Sequence, residues 1–278
     1  NSFRPIAPYI CKNDDYYMIS IDLPGHGFSC KLPDGIPYSP KLIVSTLRRI
    51  VRKLGLKDFY FVCHSYGIGL GLLYHIVFKN EVKGLVSLDW IFPITDHDFD
   101  FDVTIGTWSF TSYSELWKNG IENFIDFEEA EISKENHKKT LTRDLALSIL
   151  MRHNNHLNEE SAKILLERAL IANKDGSLQF SRDIRIKHAG YSLDHYIQFY
   201  YLLPEIMRNV NAPILSIHAD PPSFGEDAVN STIQFLKKIN QNSKNRIEFT
   251  KILGTHHFHM IKPKETSEII HKFFNKIK

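Results

Sequence analysis

Between Phe61 and Leu70 the chain reads FVCHSYGIGL, a β-branched and aromatic run that turns into a helix-like one with Ser65 at the junction. A serine on a sharp strand-to-helix turn holds its hydroxyl clear of the backbone, and the amides that open the helix face the oxygen on which charge develops in acyl transfer. Such a nucleophile elbow, G-x-S-x-G, needs small neighbours. Its five positions here are Cys63, His64, Ser65, Tyr66 and Gly67, with glycine at the second outer position and cysteine, still small, at the first. Taken alone, the same residues also fit a serine that caps the helix Tyr66 to Phe78.

A serine nucleophile requires a base and a group that orients it. Late in the chain ILGTHHFHMIKP offers His256, His257 and His259 on a loop after the last strand-like run. Three clustered histidines could instead bind a metal, but there is no HExxH and no carboxylate at matching spacing, so neither metal nor cofactor is expected. Carboxylates follow two apolar runs: Asp89 ends LVSLD, and Asp220 opens a loop, HADPPSFGED, that also carries Glu226 and Asp227. For either aspartate the plain alternative is a strand-end residue capping nearby backbone. The acidic run Asp96 to Asp102 has Phe101 where a calcium loop needs glycine, and no closing glutamate, so it reads as a solvated hinge.

These residues need a scaffold. Five runs are apolar throughout, as strands buried on both faces are: Tyr16 to Asp22, Phe59 to Cys63, Leu85 to Asp89, Pro213 to His218 and Ile247 to Ile252. Amphipathic helical segments at Pro40 to Leu54 and Tyr66 to Phe78 separate the first three. Alternating strand and helix predicts an α/β fold, a mostly parallel sheet with helices on both faces. From Phe92 to Arg208 the pattern is helical without clear strands, at Ser114 to Ala130, Ser133 to Arg152, Glu159 to Asn173 and Ser192 to Asn209. Residues 92–208 therefore read as a helical cap over the sheet's carboxyl edge, inserted between core segments 1–91 and 209–278. Trp90, Phe92, Trp108, Trp117, Tyr196, Phe199 and Tyr200 either line a pocket there or are core.

Composition narrows the partner. With 34 Lys and Arg against 32 Asp and Glu, no long-range field recruits nucleic acid or an anionic membrane, which leaves a small molecule. Three cysteines, Cys11, Cys30 and Cys63, an odd number with no paired spacing, suit a reducing compartment, and no apolar run approaches the roughly 20 residues of a membrane span. A cytoplasmic location is expected.

The order of DLPGHGFS (Asp22 to Ser29), the His-Ser-x-Gly elbow, NHLNEESAKILLERA (Asn155 to Ala169) and the ending GTHHFHM-x-x-P resembles the α/β-hydrolase superfamily, and within it the serine hydrolase-like proteins. The resemblance runs from Ser2 to the C-terminus. It implies that His256, two residues after Gly254, is the base, with His259 in a supporting or packing role. It also offers two acids: Asp89, as in the similar segment VKGLVSLDWIFP of haloalkane dehalogenases, and Asp220, at the fold's usual loop. Dehalogenases and epoxide hydrolases carry aspartate at the elbow, whereas Ser65 points to acyl transfer and hydrolysis of a small ester. One oxyanion donor would be the Tyr66 amide. The other belongs to a His-Gly loop that the family carries before the segment matching NSFRPIAPYI, so the resemblance implies a core lacking its first strands. The alternative expectation is a catalytically silent binding protein of the same fold, or an inactive fragment.

Overall fold

The computed structural model describes residues 1–12, 15–90, 118–119, 121–130, 141–186, 207, 209–241 and 247–278. Its elements in chain order are α1 (Ala7–Ile10), α2 (Pro40–Lys53), β1 (Phe59–His64), α3 (Gly67–Val77), β2 (Val82–Leu88), α4 (Arg143–His153), α5 (Glu159–Ala169), β3 (Leu170–Ala172), β4 (Leu178–Phe180), β5 (Ile214–Asp220), α6 (Glu226–Gln241), β6 (Ile247–Leu253), α7 (Phe258–Ile261) and α8 (Pro263–Ile277).

Among the described residues the main sheet is four-stranded, in the order β1-β2-β5-β6, with every pair parallel. Successive residues of a strand point to opposite faces, and the core divides accordingly. Leu85 and Ile214 pack under α2 and α3 with Leu47, Ile68 and Leu72. Val86, Leu88, Leu215 and Ile217 pack on the other face with Ile10, Ile270 and Phe274 from α1 and α8. Both faces are covered, which is why these strands carry apolar runs rather than alternation. Helix starts are equally local in origin: Ser39, Thr142 and Asn158 each accept a backbone N–H of the first turn, at 3.3, 3.2 and 2.9 Å, opening α2, α4 and α5.

Two expectations are corrected. Tyr16 to Asp22 is not a strand. No described strand lies beside it or along the outer edge of β1, and a strand exists only through its ladder. The segment docks by side chains instead, with the Tyr16 ring 5.2 Å from Phe274 and Met18, Ile21 and Leu23 against the two core faces. The second correction falls at the helix expected over Glu159 to Asn173, which ends at Ala169. From Leu170 the backbone is extended, and β3 pairs antiparallel with β4 around a turn closed by Asn173 N–H to Ser177 O at 2.8 Å. Asn, Asp and Gly in NKDG favour that turn over another helical one. The expected helix Ser192 to Asn209, the run Asp96 to Asp102 and the aromatics Phe92, Trp108, Trp117, Tyr196, Phe199 and Tyr200 lie outside, or almost wholly outside, the described residues. Among the described residues no helix is long and apolar enough to cross a membrane.

Candidate active site

Parallel strands in register deliver their following residues to a single edge. Cys63 and His64 of β1 stand opposite Ser87 and Leu88 of β2, Leu88 opposite Ile217 of β5, and Asp220 of β5 opposite Leu253 of β6. Ser65, Asp89 and the loop carrying His256 are thus brought to the carboxyl edge, where open α/β sheets place their sites.

Ser65 has φ 51°, in the left-handed region that a residue with a side chain occupies at a cost of about 1–2 kcal/mol. The turn is pinned on both sides: Ser65 N–H donates to Leu88 O at 3.0 Å, and Ser65 O accepts from Ile68 N–H at 3.1 Å. Tyr66 immediately precedes α3, so its amide belongs to the positive end of that helix. The cysteine at the first elbow position is accommodated by a second glycine rather than by the turn itself. A Cβ at Gly71, one turn into α3, would lie 3.0 Å from Cys63 Sγ, so the bare backbone of Gly71 provides the room. Burial pushes the Cys63 thiol up to about 12, which leaves it protonated and unreactive.

Asp89 follows β2 at φ 47° and is 1% exposed. Its backbone N–H donates to Ile217 O at 2.8 Å, its Oδ1 accepts from Ala219 N–H at 2.8 Å, and its Oδ2 lies 2.8 Å from His256 Nδ1. Burial pushes this carboxyl up, but the hydrogen bonds from His256 and Ala219 outweigh it and hold the pKa below the usual carboxylate value. An ionised Asp89 only accepts, so His256 Nδ1 carries its proton toward Asp89 and donates it in the hydrogen bond, which directs the lone pair of the neutral ring to Nε2.

His256 sits on a loop anchored at several points. Gly254 N–H donates to Asp220 O at 2.9 Å, Thr255 Oγ1 to His156 O at 2.6 Å, and Phe258 N–H to Thr255 O at 2.9 Å. The His256 carbonyl accepts from His64 Nε2 at 2.8 Å, and the two rings are 4.5 Å apart, which ties the loop to the residue before Ser65. Phe224 meets the His256 ring edge-on at 5.0 Å.

The structure therefore brings His256 and Asp89 into contact next to the Ser65 turn. Among the described residues it gives Ser65 Oγ no hydrogen bond to His256. Asp220 is not part of the contact: it is exposed at the end of β5, and its carboxylate bonds to no described residue. His259 is fully buried behind the loop. Sequence reasoning missed His64 as the link to the His256 loop, although its place directly before the elbow serine was the available signal. It also missed Asp22, whose carboxylate accepts from Arg168 Nε at 2.9 Å and from Phe28 N–H at 3.1 Å. Gly27 makes that loop possible: at φ 54°, a Cβ there would fall 2.1 Å from Asp22 Oδ2.

Comparison with known proteins agrees with this architecture. The α/β hydrolase fold family matches residues 1–262. A serine hydrolase-like protein of Danio rerio is 27% identical over 98% of this chain and 76% of its own length. Serine hydrolase-like protein 2 of Homo sapiens is 26% identical over 98% of the chain and 82% of its own. Among solved structures, a thioesterase domain from the curacin biosynthetic pathway superposes with a TM-score of 0.72 at 18% identity, covering 97% of this chain and 85% of that one. An esterase of Mycobacterium tuberculosis gives 0.57 at 18%, covering 91% and 73%. At such identities the structural matches speak for the fold alone. Elbow, parallel sheet and family match coincide, and the chain belongs to the α/β-hydrolase family, as a relative of the serine hydrolase-like proteins.

Proposed function

We propose that the chain is a serine hydrolase that cleaves small, uncharged or modestly polar carboxylic esters, with Ser65 as nucleophile, His256 as general base and acid, and Asp89 as the orienting carboxylate. The observation that carries this reading is the 2.8 Å bond from His256 Nδ1 to a buried Asp89 beside a serine at φ 51°. Ser65 Oγ attacks the ester carbonyl carbon while its proton passes to His256 Nε2. The tetrahedral oxyanion is held by the Tyr66 amide at the head of α3. Collapse breaks the bond to the alcohol, which leaves with the proton from His256. Water then gives a proton to His256 and attacks the acyl-enzyme, and the acid departs as Ser65 regains its hydrogen. In the same reading residues 92–208 cap the carboxyl edge. The bond from Thr255 to His156 and the pair Arg168–Asp22 support this, since each joins that segment to a loop of the core.

A second reading, a silent binding protein of the same fold, is favoured by the lack of a Ser65 hydrogen bond to His256 among the described residues and by cysteine at the elbow. A fluorophosphonate probe separates the two. Labelling at Ser65 that vanishes in Ser65→Ala, with turnover of an ester panel of graded chain length, supports the hydrolase. An unlabelled, folded protein supports the binder.

A further inference from the structure

Three histidines meet behind the elbow, and they are not the three that stand together in the sequence. His256 turns toward Asp89, while His64, His257 and His259 each present a ring nitrogen such that the three atoms lie within 4.8 Å of one another. The rings of His64 and His259 are 4.4 Å apart, and those of His64 and His257 4.9 Å.

The arrangement leaves polar atoms unused. His259 is completely buried, and among the described residues neither of its ring nitrogens has a hydrogen-bond partner; the same holds for His257 Nδ1. An imidazole must carry at least one N–H and one lone pair or two N–H groups, and burying these unpaired costs roughly 1–3 kcal/mol each. A histidine used only for packing would be replaced by an aromatic residue at no such cost, and Phe3 and Phe258 already flank His259. His64 is in the electronic state of a ligand. Its Nε2 faces the His256 carbonyl at 2.8 Å, and because a carbonyl only accepts, the proton is on Nε2 and Nδ1 holds a lone pair. A second ring nitrogen anchored to a backbone carbonyl is the usual support of a metal-bound histidine.

We propose that His64, His257 and His259 form a binding site for a late first-row divalent cation, Zn2+ being the physiological candidate. Three imidazoles with no carboxylate among them favour Zn2+ over Mg2+ or Ca2+, which prefer oxygen. Tetrahedral coordination at 2.0–2.1 Å spaces ligand atoms by about 3.3 Å, so the nitrogens must close by up to about 1.5 Å, a shift that side-chain rotation of His64 at the strand end and of His257 just before α7 can supply toward His259 in α7. Water would complete the coordination, and Asp89, bound to the adjacent His256, supplies neighbouring negative charge. The ion would clamp the His256 loop to the strand that ends at Ser65. The site is independent of the hydrolase reading, because neither Ser65 nor His256 is a ligand.

Co2+ is the probe for the test. The metal-stripped chain, without a polyhistidine tag, is titrated with Co2+ and with Zn2+, and visible ligand-field absorption, bound metal per chain and Tm are measured. The expected result is one equivalent bound, tetrahedral Co2+ bands that Zn2+ removes, and a Tm that rises with Zn2+ but not with Mg2+. His259→Phe, checked for fold by circular dichroism, should lose the bands and the Tm response, while the exposed control His153→Phe keeps both. If His259→Phe does not fold, His257→Phe takes its place. Absence of the bands in the unaltered chain, or their survival in either folded variant, overturns the proposal.

Discussion

Asp89 and His256, 167 positions apart in the chain, meet in a 2.8 Å bond between a carboxylate oxygen and Nδ1, and the other carboxylate oxygen is occupied by the Ala219 amide. An aspartate so held cannot rotate away, which is the property an orienting acid needs. Asp89→Asn keeps the size but offers the imidazole a different tautomer, and kcat on a nitrophenyl ester should fall by about 10^3- to 10^4-fold. Asp220→Asn should leave kcat within about twofold, its carboxylate being exposed and bonded to no described residue. Equal losses in both variants, or loss only in Asp220→Asn, would move the acid.

The elbow itself stores strain, and that strain is measurable. Ser65→Gly and Ser65→Ala both remove the hydroxyl and should both abolish fluorophosphonate labelling. At φ 51°, however, glycine fits where alanine is strained, so the glycine variant should be the more stable by about 1 kcal/mol in urea unfolding. Equal midpoints for the two would show that the turn is not strained.

Buried charge joins the 183–185 segment to the loop before α2. Asp183 Oδ2 accepts from Tyr38 Oη and from Arg185 Nη2, each at 2.8 Å, and Arg185 also donates to the carbonyls of Leu32 and Pro33 at 2.5 and 2.8 Å. Asp183→Asn removes the hydrogen-bonded counter-charge of a buried guanidinium and leaves it only Asp34 and Glu128, each at 3.9 Å, so it should cost about 2–3 kcal/mol. Tyr38→Phe, which removes the donor to Asp183 and the acceptor of Leu32 N–H at 3.0 Å, should cost about 1–2 kcal/mol. Asp183→Asn with Arg185→Met should lose less than the sum of the single changes. Strict additivity in denaturant midpoints would argue that the pair does not interact.

Acid sensitivity should arise partly from β5. His218 is 1% exposed with Nε2 2.9 Å from Ser216 Oγ, and burial lowers its pKa below the ordinary 6.5. Below about pH 6.5 the unfolded chain therefore binds a proton that the folded one refuses, so stability falls as pH falls, and the effect is absent at higher pH. His218→Phe should flatten the decline in Tm between about pH 7 and 5, whatever it does to Tm at pH 7. Other buried histidines, such as His75, act in the same direction, so the decline should shrink rather than disappear. Parallel Tm curves for the two proteins would exclude His218 as a contributor.

Much of this was written locally. The apolar runs of β1, β2, β5 and β6 announced a buried parallel sheet because burial on both faces leaves its mark on every residue of a strand. Ser65 at a strand-to-helix junction, and the late histidines after the last strand, were legible for the same reason: they follow elements whose patterns are strong. The run Tyr16 to Asp22 has an equally apolar pattern and is not a strand, because pairing depends on a neighbour that no residue within the run encodes. The hairpin of β3 and β4 was hidden in a segment whose helical pattern was carried by α5 alone.

What the sequence by itself determined was the set of parts: the elbow serine, two strand-end aspartates, three adjacent histidines and the alternation of strands and helices. Which parts meet was decided by strand order and register. Placing β2 next to β5, with β6 beyond it, puts Asp89 under the His256 loop and leaves Asp220 exposed at the strand end. The same geometry turns His256 toward Asp89 and brings His64, far away in the chain, beside His257 and His259. Contacts across more than a hundred residues depend on how the sheet is assembled, and no spacing along the chain encodes them.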